Sequence, residues 1–450
     1  MESVTRRSQL LSKEQIYGCA FGFNTERRIK PIHFASGFFL ALTNRYYQLE
    51  TLNKTVATSS NKEMKEDYAT PGLRELLLAN GCVCADFSVE SVHNMRGHLQ
   101  PVADNDEAVY PAFRPYSGFG NDYSLVSSRL LTNHKRNDGY AGLFVSLVLQ
   151  QSDAGKRVAE MALQWLESDR SALYRLFRPL IDDEDEAESC DEKESHEIRF
   201  GELKTTRLKR VSRMMVDQTS ALECLCRNLE RLVAPETRLR GLTIALLIWL
   251  VQYLIREGQG KKSSPLLLMD FLGRRQSRLR SQSRWCFTRT TEDLLQSFAR
   301  FDAEGRFDEC HSEYEALTAN SASKFPPLQE VLRELSLRSG LAQPRANNIP
   351  KHFELQPDTL RVLVLSMMPY GEVRSLAELA TQLYMVWGIV IGANADDSAR
   401  LASNGYAGLD QSEDLTPNVE AFVRLLKELG LAINPADGLV LCSTHSESFS

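Results

Sequence analysis

Residues 242–255 read LTIALLIWLVQYLI, an apolar run interrupted only by Thr243 and Gln252. The run is shorter than the roughly 20 residues a helix needs to cross a bilayer. A segment with no polar face must instead be surrounded by protein on all sides. It therefore predicts a buried core helix, and with it a fold in which amphipathic elements wrap that helix. Helical spacing of apolar residues predicts such elements over 140–150, 157–177, 211–233, 239–255, 292–301 and 328–337. Thr70, Pro71 and Gly81 bracket a further helix, LRELLLAN, with proline at its start and glycine at its end. The short apolar segment 82–89 reads as a strand. No repeat of fixed period and no βαβ alternation occurs, so the expected class is mostly α, a multi-domain helical assembly.

Three stretches interrupt the helical pattern. Residues 182–194, DDEDEAESCDEKE, hold nine acids and one lysine and are expected to be solvated. Residues 340–357 carry three prolines and no helical period. Residues 101–123 end in PAFRPYSGFGNDY, whose aromatics and glycines suggest an ordered loop. The organisation expected is a mixed α+β domain over 1–135, a helical segment 136–181, an acidic disordered linker 182–197, a helical domain 198–340, a linker 341–356 and a C-terminal α+β domain 357–450. The nine cysteines are too scattered for a disulfide scaffold. Met1 leads into Glu2, Arg6 and Arg7 with no apolar segment of a secretory signal. These features predict a cytoplasmic chain with reduced thiols and no membrane partner.

Residues 357–442 follow a different grammar. Spacing predicts a helix over 358–368, a turn at Pro369, Tyr370 and Gly371, and a second helix over 375–387. Thr416 and Pro417 open a third, with Val419, Phe422, Val423 and Leu426 as its apolar stripe. It stops at Gly430, and LAINPADGLVLC follows as a hairpin around Asn434 to Gly438. Three helices closed by a hairpin resemble a winged helix-turn-helix module. That resemblance implies a third helix in the major groove and a wing on the backbone, with Arg424 and Lys427 as phosphate contacts. Two departures stand against it. The connection between the second and third helices, 388–415, is 28 residues long where the motif has a few. The third helix also mixes Arg424 and Lys427 with Glu420 and Glu428.

Basic residues concentrate elsewhere. Between 274 and 289 stand Arg274, Arg275, Arg278, Arg280, Arg284 and Arg289 with no acid, interleaved with Trp285 and Phe287. Arginine suits phosphate because its planar fork donates paired hydrogen bonds and its face stacks on bases. The first five of these arginines, with Arg424 and Lys427, are the candidate nucleic-acid-binding residues. A second basic stretch, Arg199, Lys204, Arg207, Lys209, Arg210 and Arg213, has only Glu202 among it. It lies just after the acidic run, which could fold back and mask it. The alternative for both stretches is a solvated helix face or pairing with those acids.

Catalytic signatures are scarce. Gly155 and Lys156 lack the upstream glycine of a phosphate loop and read as a helix entry. Neither G-x-G-x-x-G nor G-x-S-x-G occurs. The pairs Cys82/Cys84 and Cys224/Cys226 have one intervening residue where zinc knuckles have two, and Cys310 with His311 is as weak. His33, His93, His98 and His134 have no fixed spacing to a nucleophile. Neither a cofactor nor a metal is expected. One triplet, Glu202-Leu203-Lys204, is similar to the metal-binding half of restriction-type nucleases, in which carboxylates hold Mg²⁺ beside a lysine. The nearby aspartates that could complete it, Asp182, Asp183 and Asp191, belong to the acidic run.

Three functions follow. The first is a non-catalytic subunit of a larger DNA-processing or phage-defence-type complex, contacting nucleic acid, DNA foremost, and other protein subunits. The chain is similar in style to accessory proteins of phage-defence and restriction systems, helical with a terminal winged helix. The second is a protein–protein scaffold without nucleic-acid binding. The third is a metal-dependent nuclease using Glu202 and Lys204. The formal charge of −6 excludes none of them. The acidic run alone carries −8, so the remaining chain is slightly basic at +2.

Overall fold

The computed structural model describes residues 18, 20–23, 34–35, 38, 41–42, 138–167, 205–232, 235–260, 265–306, 326–344, 349–406, 408–436 and 439–444. The expected helix at 70–81, the strand at 82–89, the loop 101–123 and the acidic run 182–194 lie outside them. So do Cys82, Cys84, Arg199, Glu202, Lys204, Cys310, His311 and the four N-terminal histidines. The described part is 70% helical, with eleven helices and a few short strands. The mostly α class with a small C-terminal α+β region is therefore what the chain adopts.

The chain divides into two compact units. One comprises residues 22–209 and 234–243. It contains α1 (Asp138–Leu149) and α2 (Asp153–Glu167). Gly155 and Lys156 stand in the first turn of α2, where the Ser152 hydroxyl accepts from the Gly155 N–H at 3.2 Å. A side chain on Gly155 would strike the Leu149 carbonyl, so glycine is what lets α1 and α2 meet so closely. Phe23 packs on Phe144 at 5.5 Å.

The other unit comprises residues 1–21, 210–233 and 244–450. Helix α3 (Thr205–Met214) runs into α4 (Val216–Leu232), so the single helix expected over 211–233 is two, broken at Met215. Helix α5 (Pro235–Gln259) carries the apolar run, and 89% of its apolar window is buried inside the protein. The expected core helix is present. Then follow β1 (Leu267–Leu268), α6 (Arg278–Ala303), α7 (Pro326–Arg338), β2 (Ala342–Gln343) and β3 (His352–Phe353). The stretch 341–356, expected as a linker, thus holds an antiparallel strand pair, with Lys351, His352 and Phe353 buried. Its prolines exclude a helix without excluding short extended pieces.

The C-terminal elements are α8 (Pro357–Met367), β4 (Val373–Ser375), α9 (Leu376–Trp387), β5 (Ile389–Val390), α10 (Asp397–Ser403), a π turn (Gln411–Leu415), α11 (Thr416–Glu428), β6 (Ala432–Ala436) and β7 (Leu439–Ser443). Strands β4, β7 and β6 form one antiparallel sheet in that order. Ser375 caps α9 reciprocally with Glu378, a capping box that fixes where the helix begins. Gly388 ends it at φ 67°. The 28-residue connection is not a loose loop. Its first residues, β5, pair in parallel with β1, Leu267 opposite Ile389 and Leu268 opposite Val390.

Polar side chains tie these elements together at helix ends, where carbonyls have no intrahelical partner. The Asn228 amide on α4 donates to the carbonyls of Leu365 at 2.6 Å and Met368 at 2.7 Å, at the end of α8. Gln252 on α5 donates to the Trp387 carbonyl at 2.8 Å, and Gln218 on α4 to that of Val386, both in the last turn of α9. The interruption that Gln252 makes in the apolar run is therefore a cap for another helix.

Candidate nucleic-acid interface

Helix α6 is amphipathic along its first half. Leu279, Ser283, Cys286, Phe287 and Thr290 are buried on one side. Arg278, Ser281, Trp285 and Arg289 are exposed on the other, at i, i+3, i+7 and i+11. Ser277 caps the start, its hydroxyl accepting from the Arg280 N–H at 3.1 Å. The loop just before it, 273–276, is exposed and places Arg274 and Arg275 in solvent. Neither has a carboxylate in ion-pair distance among the described residues. Arg278 reaches Glu413 at 3.8 Å, with both side chains about two-thirds exposed, a geometry that contributes little stability.

Arg280 and Arg284 behave differently from their neighbours. The Arg280 guanidinium turns inward, its Nε 2.5 Å from Asp270 and its Nη2 3.2 Å from Glu354. Asp270 is fully buried, so this pair is a fold element. His352 completes the cluster, with Nε2 2.8 Å from the same Glu354 oxygen. Arg284 is half-buried, its Nε without a hydrogen-bond partner. Of the five arginines assigned from the sequence, the fold leaves three exposed, Arg274, Arg275 and Arg278, the last beside Glu413.

The indole of Trp285 is 42% exposed yet held in place. Tyr406 meets it edge-on at 4.8 Å, and the Arg289 guanidinium lies over its ring at 5.4 Å while donating to the Asn404 carbonyl at 2.6 Å. Gly405, at φ 88°, faces the same ring, and a Cβ there would come within 3.3 Å of it. Residues 404–406 of the long connection are therefore the support of this tryptophan. Beneath it, burial pushes the Cys286 thiol up to about 11 and raises the Tyr406 phenol as well. Both stay protonated near neutral pH, which leaves neither as a nucleophile.

The base of the arginine loop is locked to α11. The buried Asn418 side chain accepts from the Phe271 N–H at 2.7 Å and donates to the carbonyls of Met269 at 3.0 Å and Ile391 at 2.8 Å. Phe271 also packs on Phe422 at 5.0 Å. One side chain thus joins the ends of β1 and β5 to α11 and sets where the loop leaves the core. Helix α11 itself buries Asn418, Phe422 and Leu426 and exposes Glu420, Arg424, Lys427 and Glu428. Its outer face carries no net charge.

Sequence reasoning did not find Asp270, Asn418 or the Trp285 support. Only Asp270 left a trace, as the sole acid just ahead of the arginine run. Among the described residues no three His, Cys, Asp or Glu side chains gather as metal ligands. Cys226 is buried and Cys224 half-buried, and desolvation pushes the Cys224 thiol up to about 11. Comparison with protein-family models, with curated proteins and with solved structures finds nothing that matches this chain.

Proposed function

We propose that the chain is a non-catalytic subunit of a larger DNA-processing assembly that contacts nucleic acid through Arg274, Arg275 and Arg278. The observation that carries this reading is the exposed arginine loop at the start of α6, three guanidiniums within five residues. Arg274 and Arg275, with no carboxylate in ion-pair distance among the described residues, give up nothing to bind phosphate, and Arg278 gives up only its exposed contact with Glu413. The C-terminal elements are read as a winged-helix-like module serving the same assembly. The succession α8, β4, α9, α11, β6, β7, with β5, α10 and the π turn inserted between α9 and α11, and the central place of β7 in the sheet support that reading.

The test is fluorescence anisotropy of labelled DNA and RNA at about 50 mM and about 200 mM salt. Binding at the lower salt should fall steeply at the higher. Joint replacement R274E, R275E and R278E should lower affinity at least tenfold and flatten the salt dependence. Unchanged affinity in that variant removes the proposal.

A second reading, a protein–protein scaffold, has its own observation. Val373 on β4, Ile433 on β6 and Leu439 on β7 are 51%, 57% and 45% exposed. The register places them on one face of the sheet, where adjoining apolar groups from three strands suit a protein surface. No nucleic-acid affinity at low salt would leave this reading in place of the first.

A further inference from the structure

We infer that the α6 stripe binds single-stranded nucleic acid, with Trp285 as a stacking platform between the cations Arg278 and Arg289. The inference rests on the nucleic-acid reading above and specifies its substrate class. Of the four tryptophans, Trp249, Trp387 and Trp165 are 0%, 1% and 6% exposed. Trp285 alone offers its ring to solvent. A lone exposed apolar side chain is ordinary on a protein surface, but this one is neither isolated nor loose. Tyr406 at its edge, Arg289 over its ring and the Gly405 backbone hold it in one orientation.

Its neighbours on the same helix face are the phosphate ligands that a stacked strand requires. At 1.5 Å per residue, Arg278 lies about 10 Å along the axis in one direction and Arg289 about 6 Å in the other. Ser281 and Thr288 are exposed between them and offer neutral hydroxyls. Arg274 and Arg275 extend the cationic track beyond the helix start. Cations alternating with an aromatic face are what a flexible strand with unpaired bases can use. A duplex cannot use the indole without unstacking, because its bases already cover one another. The other surface on which a duplex could be read, α11, has equal numbers of exposed acids and bases. The charge and the aromatic both sit on α6.

The experiment compares an oligothymidylate of about 16 nucleotides with a duplex of the same length, using the full chain and the W285A and W285F variants. Anisotropy should show tighter binding of the single strand, about a tenfold loss in W285A, and most of the affinity kept in W285F, which preserves a stacking face. Intrinsic emission supplies an independent readout, since only Trp285 is open to a ligand. The oligothymidylate should quench the wild-type emission and leave that of W285F unchanged. Circular dichroism confirms that both variants fold, and W285F carries the test if W285A does not. Duplex binding at least as tight as single-strand binding, or quenching that persists in W285F, overturns the inference while the nucleic-acid reading stands. Absence of any binding at low salt removes both.

Discussion

Helices α6 and α11 are both amphipathic, and Phe271, in the segment that leads into α6, packs on α11, yet the two helices present very different outer faces. Helix α11 is the last helix before the β6–β7 pair, the element to which the proposed winged-helix reading would give the reading role, and its exposed face balances Arg424 and Lys427 against Glu420 and Glu428. Helix α6 precedes the C-terminal region, and its exposed face bears Arg278, Trp285 and Arg289 with no acid on the helix until Glu292. Place in a topology and fitness for a polyanion are separable properties. The second depends on the net charge a face presents, because phosphate contact is dominated by counterion release. A single run of arginines is itself divided in the same way, since Arg278 faces water and Arg280, two residues on, faces Asp270.

The strongest way to break this division is to remove the inward-facing arginine. R280A leaves the Asp270 carboxylate buried without its cation, and loss of one member of a buried pair costs about 3–5 kcal/mol. R275A, at an exposed site with no ion pair among the described residues, should change stability by less than about 0.5 kcal/mol. Thermal unfolding of the two variants should therefore separate clearly. Equal stabilities would show that the two arginines do not differ as their positions imply.

The next largest effect concerns the support of the loop. Gly388 ends α9 in the left-handed region, and its carbonyl accepts from the Leu267 N–H at 2.7 Å to start the β1–β5 pairing. A Cβ at this position would strike the Pro265 carbonyl. G388A therefore combines the left-handed penalty with a backbone clash and should destabilise by more than about 1–2 kcal/mol. N418A, which leaves the Phe271 N–H and two carbonyls without their partner, should cost about 1–3 kcal/mol. Hydrogen exchange at Phe271 should rise in N418A, because that N–H loses its acceptor. Protection unchanged there would mean that the loop is positioned by something other than Asn418.

These anchors mark the limit of what local sequence conveys. Helices α8, α9 and α11 are legible because their signals are contained in a few residues: the Pro357 start, the Ser375 cap and the stop at Gly430. The core helix α5 is legible from its unbroken apolarity. Strands β4 and β5, three and two residues long, carry too few positions for a period to show. The partner of β5 lies far back in the chain at Leu267 and Leu268, and such pairing leaves no mark on nearby spacing. The candidate site divides likewise. The arginine run and its tryptophan were visible as composition, but which arginine turns inward depends on Asp270 and Glu354, the latter 74 residues away. The Trp285 support depends on the connection 388–415, whose length alone suggested only a departure from a known motif.

The smallest effect is the one that tests the comparison at its other end. Replacing both Arg424 and Lys427 by glutamate makes the outer face of α11 uniformly acidic, while Phe422, Leu426 and Asn418 keep the helix seated. If α6 carries the contact, this double change acts only at a distance, through a field that salt screens within about 8–10 Å. Affinity for single-stranded nucleic acid should then fall by no more than about twofold, against at least tenfold for reversal of Arg274, Arg275 and Arg278. The salt dependence should keep the wild-type slope, because the number of phosphates neutralised is unchanged. A shallower slope in R424E/K427E would instead count those two side chains among the phosphate ligands. The face of α11 would then be read as balanced by acids that tune a contact, and the division of labour between the two helices would give way to a shared surface.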